Sequence, residues 1–485
     1  MIAQAIIMPT RNPSCLLAVL LLAGCATVGP DYHVPADAAA GRPAAQAPFT
    51  EARQGPYGQQ ALPPHWWRLY DDPSLDRLIQ DALQANTDLR QAAANLARAQ
   101  AGVQAAQGAG RPGVSVQAQP SLGHESGIQA GQPGQQPADR AHYSGGVSVS
   151  YQVDLFGQIR RAVEAAQGDA QAAQAAYDAA RVTVAAETAR AYADLCAAGM
   201  QWASARQSVQ WQQASLKAVR QLQRAGRGTA LDVERAQTQL QQLQAALPPF
   251  EAQRRTAFYR LAALTGRAPA ELPPALLQCA QPPRLTQTIP VGDGAALLRR
   301  RPDIRQAERE LAAASARIGV ATGDLYPRIT LGLSAASAGP ASMLGQSGTL
   351  AWSLGPLIHW TLPNTGIAQA RIAQAEAASQ QAAAHFDGVV LNALRETESA
   401  LVTYARQLDR HQALLAAQTH SAQAARQARE LFRLGKSDYL GVLDAERTQA
   451  ETASALAASQ ASLARDQIAL FLALGGGWQA DTPAP

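Results

Sequence analysis

Aromatic residues and long apolar runs are scarce in this sequence of 485 residues. Phe, Trp and Tyr together make up 5% of the chain, and alanine and glutamine dominate its long segments. This composition favours thin, closely packed helices over a large globular core. Beyond the N-terminal region there is no apolar run of the 18 or more residues that a membrane helix needs, which excludes a transmembrane helix in the mature chain.

Net charge and reactive residues are limited as well. The formal net charge of +4 is small for this length, so the sequence indicates no nucleic-acid partner. The eight histidines lack the spacing of metal ligands, and no glycine-rich phosphate loop follows a predicted strand. We therefore predict that the protein is not an enzyme and holds no metal ion.

The first 24 residues have the pattern of a signal peptide. Arg11 supplies the positive region, residues 16–22 form a short apolar region, and Leu-Ala-Gly-Cys at 22–25 is typical of a lipoprotein cleavage box. Either Met1 or Met8 is the start of translation. We predict that Cys25 carries N-acyl and S-diacylglycerol lipid, and the alternative is an ordinary secretory signal with an incidental cysteine.

The segment after this cysteine is rich in Pro, Ala and Gly. Ala26 is not acidic, which favours sorting of a lipoprotein to the outer membrane. Residues 25–62 are predicted to be an extended, lipidated tether. The folded part then begins at residue 63.

A strand that leads into a very long helix organises the chain. Val147, Val149, Tyr151 and Val153 alternate with polar residues, which predicts a strand with one apolar face. From Gly157 the pattern becomes that of a long helix rich in Ala, Gln, Glu and Arg, with no proline before Pro248. We predict a first repeat at 63–266, with a strand hairpin at 113–154, a long helix at 157–224 and a returning helix at 229–265.

The second half repeats this order. Gly157 to Gly226 and Gly366 to Gly435 both span 69 residues, and Gly226 to Gly266 and Gly435 to Gly475 both span 40. We predict a second repeat at 296–475, with a hairpin at 328–362, a long helix at 366–434 and a returning helix at 438–474. A proline-rich equatorial connection at 267–295 joins the repeats, and 476–485 form a tail.

The four predicted strands have the length that crosses a bilayer when tilted. Four strands cannot close a barrel, and an open strand edge in lipid is prohibitively costly. A trimer would supply twelve strands, within the range known for outer-membrane barrels. The predicted fold is therefore mainly α with a small β part, and three copies form a 12-strand outer-membrane β-barrel continued by an α-helical periplasmic barrel.

Several motifs resemble those of the TolC-like outer-membrane efflux proteins, in particular the NodT-type lipoprotein branch. They lie throughout the mature chain. They are Cys25 with Val-Gly-Pro-Asp-Tyr at 28–32, Trp66-Trp67, Tyr151 with Asp-Leu-Phe-Gly at 154–157, Leu-Arg-Arg-Arg-Pro-Asp-Ile at 298–304, Tyr439-Leu440 with Val-Leu-Asp-Ala at 442–445, and Ala-Leu-Gly-Gly-Gly-Trp at 473–478. The chain departs from the family at Leu-Pro-Asn-Thr-Gly, 362–366, where we expect a differently built turn between strand and helix.

The resemblance implies a homotrimeric channel in the Gram-negative outer membrane, in contact with its lipid and with a long periplasmic portion. Such a channel docks through a periplasmic adaptor protein onto an inner-membrane efflux transporter and passively conducts small molecules, such as drugs or toxic organics, out of the cell. The alternative is a lipid-anchored trimeric coiled-coil stalk or adhesin. The paired, one-sided strands argue against that alternative because a stalk has no need of them.

The resemblance also assigns roles to residues at the two helix reversals, which we call the tips. Adaptor contacts are expected at Ala225, Gly226, Arg227, Gly228, Leu434, Gly435, Lys436 and Ser437, although plain helix–helix turns would have the same sequence features. Asp232 and Asp444 are expected at the periplasmic entrance, where carboxylates in a narrow ring repel each other and attract cations. Gly441 stands at the second-repeat position that corresponds to Asp232, so Asp444 is the stronger candidate, against a plain solvated carboxylate.

Two cysteines remain in the mature chain after Cys25. Cys196 lies 30 residues before Gly226, and Cys279 follows the returning helix, which ends near Gly266. Both cysteines then lie at compatible heights above the same tip. We predict a disulfide between them in the oxidising periplasm, with two separate buried thiols as the alternative.

Overall fold

The computed structural model describes residues 27–53, 55–58, 60, 62–124, 126–128, 131, 133–285, 287–361 and 365–476. The described part is mainly helical with a small β part, as the sequence predicts. Cys25, the signal peptide, Leu362–Asn364 of the departing turn and most of the tail lie outside the described residues.

The first repeat contains five helices and two strands. In chain order they are α1 (Pro73–Ala85), α2 (Thr87–Gly108), β1 (Gly113–Gly123), β2 (Arg140–Val153), α3 (Gln158–Arg224), α4 (Ala230–Ala245) and α5 (Leu247–Leu264). The returning helix predicted at 229–265 is broken at Ala246, between α4 and α5. Pro248 and Pro249 lie in the first turn of α5, because proline cannot donate a backbone hydrogen bond and is tolerated only at the start of a helix.

The second repeat follows the same order. It contains α6 (Gly294–Arg300), α7 (Pro302–Gly323), β3 (Arg328–Pro340), β4 (Leu350–His359), α8 (Thr365–Arg433) and α9 (Tyr439–Ala473). Helices α2 and α7 each have 22 residues, and the long helices α3 and α8 have 67 and 69. These matched lengths agree with an internal duplication.

Short elements precede the first repeat, join the two repeats, and also occur within them. The connection at 267–295, predicted to be irregular, consists of short turns and one two-residue strand. The short elements of the described chain are Ala39–Gly41, Pro43–Gln46, Glu51–Arg53, Tyr57–Gly58, Trp66–Tyr70, Pro269–Glu271, Pro274–Gln278, Ile289–Pro290, Ala341–Met343 and Ser347–Thr349.

The two junctions between a strand and a long helix differ, in agreement with the departure expected at 362–366. Gly157 precedes α3 with a φ of 77°, whereas Gly366 lies inside α8, which already begins at Thr365. The two glycines therefore share a spacing but not a conformation. Strand β4 also ends one residue before Trp360, which the sequence places in that strand.

The chain forms two compact units. Among the described residues, one comprises those of 27–35, 97–172 and 308–385 and contains the four-stranded sheet. The other comprises the described residues of 36–96, 173–307 and 386–476 and contains the main apolar core. Helices α2, α3, α7 and α8 each contribute residues to both units.

The core of the second unit is richer in aromatic packing than the composition indicates. Trp66 and Trp67 are fully buried, and the Trp66 ring stacks on Phe471 of α9 at 4.5 Å between centroids. Leu195 of α3 and Leu401 of α8 complete the same cluster. The few aromatic residues are thus concentrated where helices from both repeats meet.

The predicted tether is packed against the folded chain rather than free, which corrects the prediction for 25–62. Tyr57 and Gly58 form a parallel bridge with Ile289 and Pro290, and the Tyr57 hydroxyl donates to the Leu401 carbonyl at 2.6 Å. Phe49 is buried in the core. Composition predicted the extended backbone, but these contacts join residues more than 200 positions apart and leave no local signal.

Candidate functional site: the one-sided sheet and the helix tips

Strands β1, β2, β3 and β4 form one antiparallel sheet in chain order. Directly opposed residues of antiparallel strands point to the same face of a sheet. The pairing joins Val114 to Val149, Val149 to Leu333, and Leu333 to Leu354. The alternating apolar residues that the sequence shows in each strand therefore combine into one continuous apolar face.

The same register gathers small polar residues on the other face. Ser115 pairs with Ser148, Ser148 with Ser334, and Ser334 with Ser353. The hydroxyl oxygens of Ser115 and Ser148 lie 2.7 Å apart, and those of Ser334 and Ser353 lie 2.8 Å apart. This face is hydrogen-bonded and suited to water.

The apolar face is open in the single chain. Val116, Trp352 and Leu354 are each more than 70% exposed. In an open sheet, β1 and β4 are the edges, and no strand of the described chain pairs with their outer sides. An exposed apolar face with two unpaired edges requires both a lipid-like environment and partner strands.

The junction of β2 and α3 is built by Asp154. Its carboxylate accepts the backbone N–H groups of Ile159 and Arg160, each at 2.9 Å, and so caps the first turn of α3. The sequence analysis identified Asp154 as part of the motif at 154–157 and gave it no capping role. The signal for a cap was present, since Asp stands at the point where the period changes from strand to helix.

In the second repeat, Asp324 lies at the junction between α7 and β3. This carboxylate accepts hydrogen bonds from Gln158 of α3 at 3.0 Å, Arg328 of β3 at 2.7 Å and Arg371 of α8 at 2.9 Å. It thereby links the starts of both long helices to the sheet. Sequence reasoning missed this residue because its partners are distant in the chain.

The two tips have the same backbone structure. Gly226 and Gly435 have φ values of 73° and 71°. At the first tip Arg227 N donates to Leu222 O at 2.9 Å, and at the second Lys436 N donates to Leu431 O at 2.8 Å. Both are Schellman C-caps, in which glycine adopts the left-handed conformation without steric cost.

The predicted tip residues are accessible. Leu434 is 51% exposed, and Arg227 and Lys436 present cationic side chains to solvent. Leu231 of α4 and Leu440 of α9 are more than half exposed and lie along a groove between these two helices. Polar and charged side chains, among them Glu234, Arg235 and Arg447, line the rest of this groove. Exposed leucines among charged residues form a surface suited to contact with another helical protein.

A small apolar cluster supports the tips. It includes Val209 and Leu216 of α3, Leu240 of α4, and Tyr439 and Leu443 of α9. Next to this cluster the buried Glu446 of α9 accepts a hydrogen bond from Arg429 of α8 at 3.2 Å. Burial raises the pKa of the Glu446 carboxyl, and the Ser215 hydroxyl and the Arg429 guanidinium offset this only in part.

The two predicted entrance carboxylates have different surroundings. Asp232 belongs to a capping box, in which its backbone N–H donates to the Thr229 hydroxyl at 3.1 Å. Asp444 is exposed, and within the described chain no hydrogen bond or ion pair engages its carboxylate. Asp444 is thus available for a role at the entrance, whereas Asp232 already has a structural one.

Cys196 and Cys279 are joined in the structure, with their sulfur atoms 2.05 Å apart and 83 positions between them in the sequence. Cys196 lies in the middle of α3 and is fully buried. Gly199, one turn later, faces the Cys279 carbonyl so closely that a Cβ there would lie 2.1 Å from it. The disulfide therefore fixes the 267–295 connection against the first long helix.

The Arg-Arg-Arg-Pro motif also has a structural role that sequence reasoning did not assign. Arg300 donates to the Leu474 carbonyl at 2.7 Å, and Arg301 donates to the Ala473 carbonyl at 2.9 Å. Both guanidinium groups thus cap the C-terminus of α9, and Arg301 also contacts Asp303 and Glu396. The run of three arginines directly before Pro302 was the sequence feature that could have indicated this capping role.

The described residues lack the features of two other classes of protein. No group of three or more His, Cys, Asp or Glu side chains could hold a metal ion there. No helix in the described ranges is both long and apolar enough to cross a membrane.

A duplicated chain with a one-sided sheet at the start of its long helices and paired glycine tips is typical of outer-membrane channel proteins. The chain belongs to the outer membrane efflux protein family, whose sequence profile matches residues 78–267 and 295–476. The recognition of this family from the sequence motifs is confirmed.

Individual relatives cover nearly the whole chain. Nodulation protein T of Rhizobium leguminosarum bv. trifolii is 28% identical over 95% of this chain and 96% of its own length. The probable outer membrane lipoprotein SilC of Salmonella typhimurium is 29% identical over 95% and 97%. Among solved structures, the outer-membrane channel OprN is 36% identical, with a TM-score of 0.84 over 93% of this chain and all of its own. The protein is thus assigned to the Gram-negative outer membrane.

Proposed function

We propose that this protein is the outer-membrane channel of a tripartite efflux system and passively conducts small molecules from the periplasm to the exterior. The observation that carries this proposal is the sheet with one continuous apolar face and one serine-rich polar face. Such a sheet separates lipid from water. Membership of the efflux family supports the same function.

Three copies complete the channel. Each copy leaves the outer edges of β1 and β4 unpaired, and pairing β4 of one copy with β1 of the next closes a ring of twelve strands. Closure removes the open edges, which lipid does not tolerate. The apolar face then meets the membrane, the serines line the pore, and the long helices continue into the periplasm.

The tips dock onto a periplasmic adaptor, and through it the channel reaches an inner-membrane transporter that selects and energises the exported compound. The channel itself holds no cofactor apart from the covalent lipid on Cys25. The relative named as an outer membrane lipoprotein supports this lipidation. The stalk or adhesin alternative receives no support from the sheet, whose two different faces have no use in a coiled coil.

The proposal is tested by detergent extraction of the outer membrane, native mass determination and conductance in planar bilayers. A Cys25→Ser variant is measured alongside. The expected result is a trimer whose mass includes lipid in the parent protein and lacks it in the variant, with conductance from the parent. A soluble monomer or dimer without conductance would remove both the barrel and the efflux function.

A further inference from the structure

The first described residues after the lipidation site are held by the junction between β2 and α3. Val28 N donates to the Phe156 carbonyl at 3.0 Å, directly between the end of the strand and the start of the helix. Phe156 in turn stacks on Tyr326, with ring centroids 4.6 Å apart. The N-terminal segment is therefore bonded to the base of the sheet from its second described residue onward.

Arg161, in the first turn of α3, holds this segment most strongly. Its Nε donates to the Val28 carbonyl at 2.9 Å, and its Nη2 donates to the Gly29 carbonyl at 3.1 Å and to Asp31 at 2.7 Å. Its Nη1 donates to Glu164 at 2.7 Å. Four of the five N–H donors of an arginine are thus used, and the side chain is only 5% exposed.

Two glycines permit this close approach. Gly29 has a φ of 85°, and a Cβ there would lie 2.4 Å from the Cα atom of Gly319 in α7. Gly157 has a φ of 77°, and a Cβ there would lie 2.5 Å from the Cγ2 atom of Thr27. Larger residues at either position would displace the segment, so the sequence is adapted to hold it in this place.

The second repeat lacks these features. The position that corresponds to Arg161 is Ala370, four residues after Gly366, and Gly366 has helical conformation. The arginine at the start of α8, Arg371, instead donates to Asp324 at 2.9 Å and serves the junction of helix and sheet. Among the described residues, the contacts to the N-terminal segment are made by the arginine of α3.

The distance to the lipid follows from chain length. Cys25 precedes Thr27 by two residues, which span at most about 7 Å when fully extended. Thr27 lies against Gly157, and β2 ends at Val153 on the apolar face. Chain length alone thus limits Cys25 to about 7 Å from Thr27, which is far less than a tether of residues 25–62 would allow.

We propose that Arg161 is a positioning residue for the acylated N-terminus. It fixes Cys25 beside the β2–α3 junction, so that the acyl chains enter the bilayer against the end of the apolar sheet face. The lipid then packs against the assembled barrel, in addition to directing the protein to the membrane. This inference rests on the proposed acylation of Cys25.

Two changes test two parts separately. The clamp is the set of hydrogen bonds from Arg161 to residues 28–31, and the anchor is the lipid on Cys25. Arg161→Gln removes the clamp and leaves the lipid, whereas a six-residue Gly/Ser insertion between Ala26 and Thr27 leaves the clamp and frees the lipid. Arg160→Gln is the matched control, since its side chain is exposed and adjacent in sequence. Hydrogen exchange of residues 27–32 and the temperature at which the trimer dissociates in detergent are measured for all variants.

We expect at least tenfold faster exchange at Val28 in Arg161→Gln and no change in Arg160→Gln. The insertion variant keeps the parent's exchange at Val28 but loses heat resistance of the trimer, toward the value of Cys25→Ser. Parent-like heat resistance of the insertion variant would show that a loose anchor suffices and would overturn the proposal. If Arg161→Gln fails to assemble, Asp31→Asn, which removes one bond of the clamp, replaces it in the exchange measurement.

Mass analysis of the N-terminal peptide distinguishes the failure of this inference from that of the proposed function. An unmodified Cys25 would contradict the positioning role of Arg161. The channel function would still be tested by trimer formation and conductance. An acylated Cys25 with parent-like trimers after insertion would end the positioning role alone.

Discussion

The Asp232 carboxylate accepts a hydrogen bond from the Thr229 hydroxyl at 2.6 Å. The two residues form a reciprocal capping box at the first turn of α4. In the second repeat Asp438 caps α9 through the Gly441 backbone N–H at 3.1 Å, and glycine replaces the acid of the box. The tips therefore use different side chains for the same task. Asp444 takes part in neither cap, and its exposed carboxylate has no hydrogen-bond or ion-pair partner among the described residues.

Replacing Asp444 with alanine tests its place at the entrance. In a trimer the three carboxylates would attract cations and narrow the usable opening. Asp444→Ala is expected to raise single-channel conductance, or ease opening, and to weaken block by divalent cations. Planar-bilayer recording measures both quantities.

The matched control is Asp232→Asn, which changes an equivalent charge in the first tip. It is expected to change cation block less than Asp444→Ala does, because hydrogen bonds from Thr229 hold the Asp232 carboxylate against its own helix. If Asp444→Ala has parent-like conductance and cation block, the residue is an ordinary solvated carboxylate.

The cap at Thr229 is expected to stabilise the first tip by about 1 kcal/mol, the usual value for such a residue. Thr229→Ala removes the side-chain acceptor for the Asp232 N–H and should speed amide exchange in the first turn of α4 about fivefold. Thr238→Ala is the control, since its hydroxyl bonds only the Glu234 carbonyl within the helix. Equal exchange in both variants would show that the capping box contributes nothing.

The repeated elements of this fold could be predicted because they depend on local signals. Alternation identified β2, the change of period identified the start of α3, and equal spacings placed the tips at Gly226 and Gly435. The disulfide partners were identified from positions along two helices that meet at one tip. Each of these inferences uses residues close together, or a distance that a helix fixes.

The contacts that tie the chain together could not be predicted in this way. Arg161 looks like an ordinary helix residue until the fold brings Val28 and Asp31 beside it, 130 or more positions away. Composition likewise predicted a free tether, because proline and alanine do not reveal that Tyr57 reaches Leu401. Such contacts depend on the tertiary structure, and no local pattern in the sequence indicates them.

The assignment of the two sheet faces is tested by placing a charge on each in turn. Val149→Arg puts a guanidinium on the apolar face, where lipid contact costs about 2–4 kcal/mol near the middle of the bilayer. We expect little or no trimer in the outer membrane. Ser148→Arg, one residue away, is expected to assemble and to lower cation conductance.

Heat-modifiable migration on gels reports assembly of both variants. Normal assembly of Val149→Arg together with failure of Ser148→Arg would reverse the faces. Assembly of both with unchanged conductance would mean that the sheet does not enclose a pore.

Direct contact of the tips with an adaptor is tested by a photo-crosslinking residue at Leu440. This leucine lies in the groove between α4 and α9 and is 51% exposed. Leu415 of α8 is similarly exposed but distant in sequence from both tips, and serves as control. We expect adducts with a periplasmic adaptor at 440 alone, identified by mass spectrometry, and equal adducts at both positions would exclude the tips as the docking site.

The buried carboxyl of Glu446, which pairs with the partly exposed Arg429, predicts a pH dependence of the tip region. Burial raises the pKa of Glu446, so the folded chain binds this proton more tightly than the unfolded chain does. The resulting stability is complete below the ordinary glutamate pKa of about 4.3 and is lost as pH rises through the raised value. Residues 439–446 should therefore exchange more slowly at mildly acidic pH than at pH of about 8, after correction for intrinsic rates.

Glu446→Gln is expected to abolish this dependence and to slow exchange at neutral pH, because it removes the buried charge. Glu430→Gln is the control, since hydrogen bonds from Arg433 lower the pKa of that exposed carboxyl and so cannot produce a dependence of the same sign. A parent-like pH profile in Glu446→Gln would assign the effect to another group.

The disulfide between Cys196 and Cys279 is expected to be formed in the protein isolated from the outer membrane. Titration of denatured, unreduced protein should find no free thiol in the mature chain, since Cys25 would carry lipid. Removing a disulfide commonly costs about 2–5 kcal/mol. A Cys196→Ala and Cys279→Ala double variant should therefore lose protection from exchange in residues 267–285, while the tips at Gly226 and Gly435 keep theirs. Two free thiols per chain in the parent protein would show that both cysteines are simply buried side chains.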